Sequence, residues 1–117
     1  MHRYFVVIAT VLLCACGYEG ASSDLAAVET AARMLEPADA ELASIYNRSC
    51  RACHTVAATG APLAGDQAAW GELMAKGPDV LLENVVAGYG GMPPFGLCMD
   101  CDADEFDALI AFMARGR

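Results

Sequence analysis

Histidine is nearly absent: the 117 residues contain two, His2 and His54. That scarcity excludes most metal centres built from several imidazoles. Basic residues are few as well. Seven lysines and arginines face fifteen acids, a formal charge of −8, and lysine occurs once, at Lys76. A chain this acidic lacks the basic face that sequence-independent nucleic-acid binding requires. Charge will not dock it on anionic lipid heads either. No apolar run reaches the ~20 residues of a membrane-spanning helix, and no stretch alternates apolar and polar residues as a half-buried strand does. The length suits one domain with a targeting segment attached. The 56% hydrophobic content is inflated by 23 alanines and by one apolar stretch near the start.

That stretch reads as a signal. His2 and Arg3 give a short basic start, and the apolar run from Tyr4 to Leu13 follows. Ten residues rise only ~15 Å as a helix, about half the hydrocarbon core, which suits a signal h-region. The run ends in Leu13-Cys14-Ala15-Cys16-Gly17, which resembles a bacterial lipoprotein box with Cys16 as the lipidated residue. The alternative is ordinary cleavage near Gly17–Ala21, leaving a soluble secreted protein. The expected organisation is therefore a signal peptide over 1–15, a lipidated N-terminus and flexible tether over 16–38, and a folded domain over 39–117. Loss of Arg3 with the signal leaves six basic against fifteen acidic residues, a charge of −9. The tether is rich in Gly, Ser, Ala and acids, with helical potential around Leu25–Leu35.

The domain reads as all-α, with four short helices. Leu42, Ile45 and Tyr46 recur at helical spacing behind Pro37 and Asp39. Trp70, Leu73 and Met74 do the same behind Asp66, which reads as the N-cap. Pro78 suits the first turn of a third helix carrying Leu81, Leu82, Val85, Val86 and Tyr89. Asp102 and Glu105 form a capping-box pattern ahead of Phe106, Leu109, Ile110 and Met113. Most of the glycine and proline falls in two loops, 55–65 and 88–101. Short alanine-rich helices bury little apolar area, so a domain this small needs something further in its core.

Cys50-Arg51-Ala52-Cys53-His54 supplies the candidate. It has the pattern by which a c-type haem is attached. Positions i, i+3 and i+4 share one helix face, so two thiols can bond the haem while His54 reaches the iron. Two other readings compete. A thioredoxin-like redox pair needs a βαβ context that the pattern does not offer. A four-cysteine zinc site could recruit Cys98 and Cys101.

His54 is the only histidine left once the signal is removed, so one haem is the limit and a second imidazole ligand within the chain is impossible. The thioether candidates are Met34, Met74, Met92, Met99 and Met113. Met74 and Met113 fall in helical stripes and read as core. Met34 lies in the tether, and Met99 is boxed between cysteines. Met92 stands in Gly90-Gly91-Met92-Pro93-Pro94, where glycines permit close backbone approach and prolines restrict the chain. A fixed loop is what a weak thioether ligand needs.

Cys50–His54, the Gly91-Met92-Pro93-Pro94 loop and the following Cys98-Met99-Asp100-Cys101 together resemble a class I c-type cytochrome, specifically the cytochrome c5 group. The resemblance covers about residues 39–115. It implies a small helical domain around one covalently attached haem c, with thioethers at Cys50 and Cys53 and axial ligation by His54 and Met92. It also assigns Pro62 as the residue whose carbonyl orients the histidine. Trp70 falls at an aromatic position near the haem, its indole N–H a possible propionate donor. A disulfide between Cys98 and Cys101 follows from the resemblance and from export to an oxidising compartment. One departure is Leu42, which stands where relatives often place glycine, eight residues before the first haem cysteine.

The implied function is single-electron transfer rather than enzymatic catalysis. The expected protein is a monomer at the periplasmic side of a bacterial membrane, held there by its N-terminal lipid. Its expected partners are redox proteins such as a respiratory reductase or a terminal oxidase. The alternative is a gas-binding or peroxidase-like haem protein in which the methionine leaves the iron.

Overall fold

A computed structural model describes the backbone of residues 19–117 and the side chains from Asp24 onward. The expected signal over 1–15 and Cys16 lie outside the described residues. Helix α1 runs Glu19–Met34. Helix α2, Ala40–Ile45, continues without a break through one π-helical turn, Tyr46–Cys50, into α3, Arg51–His54. Helices α4, Gln67–Met74, α5, Pro78–Ala87, and α6, Ala103–Arg115, complete the domain. Among the described residues the only β pairing is an isolated bridge between Tyr89 and Met92.

The helix starts follow their local chemistry. Asp39 accepts from the Leu42 N–H at 2.8 Å, and Asp66 accepts from Ala68 and Ala69 at 3.1 and 3.2 Å. Asp102 and Glu105 bond reciprocally in a capping box, satisfying two donors that the first turn leaves orphaned. Gly116, at φ +71°, ends α6 in the left-handed conformation that favours glycine.

The core lies where α2 and its π turn cross α6. Tyr46 is fully buried and meets the edge of Phe112 with ring centroids 4.9 Å apart. Leu109, Ile110 and Met113 fill the rest of the α6 stripe, and Trp70 and Leu81 close the core from α4 and α5. The Tyr46 hydroxyl has no partner among the described residues, and burial pushes its pKa above the usual tyrosine value.

Three expectations change. The segment read as a flexible tether with helical potential around Leu25–Leu35 is helical from Glu19 to Met34, and what differs is that it does not hang free. Its end is anchored: Ala32 is fully buried, and Val28 and Leu35 pack against the core. The apolar positions 28, 32 and 35 share one face, and the domain offers a surface for that face to cover. Met74 is not core. It is 42% exposed, because it lies about 100° around the helix from Leu73 and α4 ends there. Tyr89 is not on the third helix. Gly88 takes φ +82° and ends α5 at Ala87, which leaves Tyr89 62% exposed.

Candidate functional site

The motif Cys50–His54 straddles the π turn and α3. A π turn is wider than an α turn and often marks a functional position. Among the described residues neither motif cysteine is in a disulfide, and Cys50 is half-buried while Cys53 is exposed. Burial pushes the Cys50 thiol up to about 11, against the pull of Arg48 and with a smaller upward push from Cys53. Redox-active Cys-x-x-Cys pairs depend on a lowered thiol pKa. The environment of Cys50 runs the other way.

His54 is buried. Its Nδ1 lies 2.7 Å from the Pro62 carbonyl oxygen. A carbonyl only accepts, so Nδ1 carries the proton and Nε2 keeps its lone pair. Burial lowers the histidine pKa, and the bond to Pro62 opposes that only in part. The imidazole is therefore held neutral, in one tautomer and one orientation. This is the state in which histidine binds a metal.

The loop that orients His54 is itself held. The Ala64 N–H donates to the His54 carbonyl at 2.8 Å. The Trp70 Nε1–H donates to the Leu63 carbonyl at 2.8 Å, where the sequence reading offered it to a haem propionate. That bond falls one residue from Pro62, so Trp70 braces the loop that orients His54. Its ring also lies beside the imidazole, with centroids 6.1 Å apart.

Met92 sits across the domain's other loop. A tight turn pairs the Tyr89 N–H with the Met92 carbonyl at 3.1 Å and the Met92 N–H with the Tyr89 carbonyl at 2.9 Å. Gly96 leaves space for the thioether methyl: a Cβ there would lie 3.1 Å from Met92 Cε. Around that glycine the backbone is unusual. Phe95 and Leu97 have φ of +59° and +66°, a region costing ~1–3 kcal/mol for a non-glycine residue and often found at functional sites. No sequence signal marks these two positions.

Cys98 and Cys101 close the segment with a disulfide, their Cα atoms 5.4 Å apart. That bond consumes both thiols and removes two donors from the four-cysteine zinc reading. Sequence reasoning also missed the ion pair of Arg48 with Asp100 and the bonds made by Arg51, because nothing local to either arginine points to its partner.

A family model described as cytochrome C oxidase, cbb3-type, subunit III matches residues 37–113. The chain belongs to this family of class I c-type cytochromes. Over 72 residues this cytochrome is 40% identical to the cytochrome c5 of Ectopseudomonas mendocina, covering 60% of this chain and 83% of the relative. It is 45% identical over 72 residues to the cytochrome c5 of Azotobacter vinelandii, covering 60% and 87%. A solved structure, the crystal structure of an electron transfer complex of nitrite reductase with cytochrome c, contains a chain that matches it with a TM-score of 0.58. The two are 36% identical, and the match covers 66% of this chain and 98% of that one.

This cytochrome carries covalent haem c, as its relatives do, and the residues present fit that group. Cys50 and Cys53 offer two uncommitted thiols at the required spacing. His54 offers a free Nε2 because its Nδ1–H donates to the Pro62 carbonyl. Gly96 clears the space around the Met92 methyl. When bound, the haem supplies one-electron exchange at its iron.

Proposed function

We propose that this cytochrome passes single electrons between respiratory redox proteins, with Cys50 and Cys53 as the haem thioethers and His54 and Met92 as axial ligands. The observation that carries the reading is the 2.7 Å bond from His54 Nδ1–H to the Pro62 carbonyl. It holds the imidazole in the tautomer that leaves the Nε2 lone pair available, and it makes His54 a stronger, pre-aligned donor. Met92, in a loop closed on one side by the Tyr89 bridge and on the other by the disulfide, suits the sixth position. Held by His54 and Met92, a haem would keep no position open for a substrate, and the chemistry it would supply is one-electron exchange. Met92 as a ligand together with His54 would raise the reduction potential.

The partner is a redox protein such as a reductase or terminal oxidase. The presence of nitrite reductase in the complex of the structural neighbour supports that class. Asp102, Asp104 and Asp107 are exposed on the first turns of α6, and this surface favours a basic or apolar docking face over an acidic one. Lipid on Cys16 would hold the protein at the periplasmic face of a bacterial membrane, a reading supported by the Leu13–Gly17 sequence.

Two experiments test these readings separately. Met92→Ala should retain covalent haem, lose the low-spin six-coordinate spectrum and begin to bind carbon monoxide. Its potential should fall by on the order of tenths of a volt, part of the ~0.8 V span that axial ligands set. An unchanged spectrum would move the ligand elsewhere, Met99 being next. Cys16→Ser should shift haem protein from the membrane to the soluble fraction. Wild-type protein already soluble after export would overturn the anchor.

A further inference from the structure

Helix α1 lies ahead of the stretch that the family model matches, residues 37–113, yet its end is built into the haem domain. Leu35, just past the helix, occupies a notch between two glycines. A Cβ at Gly65 would come within 2.8 Å of Leu35 Cδ1, and one at Gly116 within 3.3 Å of the same atom. One turn back, Ala32 is fully buried. Side chains at both glycines would close the notch.

The fastening of the helix end is polar. The last carbonyls of a helix have no donors of their own. Here Arg51 supplies them: its Nη2 donates to the Arg33 carbonyl at 2.5 Å and its Nη1 to the Leu35 carbonyl at 3.3 Å. The Nη1 group also donates to Asn47 Oδ1 at 3.2 Å, and Asn47 in turn donates to Glu36 Oε1 at 2.6 Å. Arg51 occupies one of the two positions of the haem motif that bind neither the haem edge nor the iron. A cap for α1 is thus written inside the motif. Further up the helix, Arg33 and the Ala57 backbone N–H hold the Glu29 carboxyl below its ordinary range.

Ala57 and Gly65 bracket the segment whose Pro62 carbonyl accepts the hydrogen bond from His54 Nδ1–H. We propose that α1 is a clamp on this proximal loop, fastened by Arg51 as a positioning residue, and that it keeps His54 aligned toward the iron. The proposal rests on His54 being an axial ligand. Its consequence is that the polypeptide leading into the domain is mechanically continuous with the haem's histidine side.

Hydrogen exchange on the full-length, haem-loaded, reduced protein tests this. The reporters are the Ala64 N–H, bonded to the His54 carbonyl, the Gly65 N–H, bonded to the Met113 carbonyl at 2.7 Å, and the His54 Nδ1–H. In Arg51→Gln all three should exchange about tenfold faster while the amides of α5 keep their rates, because only the loop opens. Leu35→Ala should give the same pattern without touching the haem motif, and it decides alone if Arg51→Gln fails to take up haem. Unchanged loop exchange in Leu35→Ala overturns the proposal. So does acceleration spread evenly over the domain, which marks a loss of global stability only. Wild-type amides of residues 28–34 exchanging as freely as an unfolded chain overturn it too. A wrong axial assignment would show instead in the spectrum of the wild-type protein, with these exchange rates unaffected.

Discussion

Arg48 and Asp100, 52 positions apart, meet in two parallel hydrogen bonds, Nη1 to Oδ1 at 3.0 Å and Nη2 to Oδ2 at 2.9 Å. The fork geometry is the one in which a guanidinium recognises a carboxylate best. It ties the π turn ahead of Cys50 to the disulfide loop behind Met92. The haem-attachment motif and the Met92 loop are thereby joined on the outside of the domain.

The Arg48 guanidinium holds the Asp100 carboxyl below its ordinary value of 3.8. A depressed folded pKa contributes stability above the unfolded value, and that contribution is lost as pH falls through the folded pKa. Asp100→Asn should therefore cost a little stability at pH 7, small because the pair is exposed and solvent-screened, and its profile should converge on that of the wild type as pH falls below about 3.8. Urea titrations of both proteins from neutral pH downward check this. Parallel acid profiles would mean that the pair contributes nothing.

Gly88→Ala should damage the Met92 loop. Gly88 has φ +82° and ψ 151°, and a Cβ would meet the Met92 carbonyl oxygen at 2.9 Å and the Pro94 nitrogen at 3.0 Å. Both neighbours are backbone and cannot swing aside. The expected loss is about 1–3 kcal/mol, read by thermal unfolding, with weakening of the low-spin spectrum as Met92 is displaced. Gly90→Ala is the comparison: Gly90 also has positive φ, but nothing lies within 4 Å of its Cβ position. It should be strained without displacing Met92.

Trp70→Phe should loosen the histidine side. It deletes the 2.8 Å bond to the Leu63 carbonyl, worth about 1 kcal/mol, and leaves a cavity where the indole was, with a further cost. Leu63 keeps one donor, the Asp66 N–H at 3.1 Å, so the loop should persist in weakened form. The denaturation midpoint should fall while covalent haem and its spectrum survive. A haem-propionate role for the indole would instead appear as an altered potential with stability unchanged.

The sequence alone determined the chemistry and most of the helix starts. Cys50–His54 and the Met92 loop are short motifs whose function depends on local spacing, and a reader needs no tertiary contact to see them. The same holds for Asp39, Asp66 and the Asp102/Glu105 box, because capping is satisfied within three residues. The tertiary structure decided what depends on meetings between distant segments. It set Leu35 between Gly65 and Gly116, paired Arg48 with Asp100, turned Arg51 into a cap for α1, and gave the Trp70 N–H to Leu63. It also exposed Met74 and Tyr89, because burial depends on where a neighbouring element ends, and it held Phe95 and Leu97 at positive φ. Local propensity opposes that conformation, so only the closed loop around Met92 can impose it.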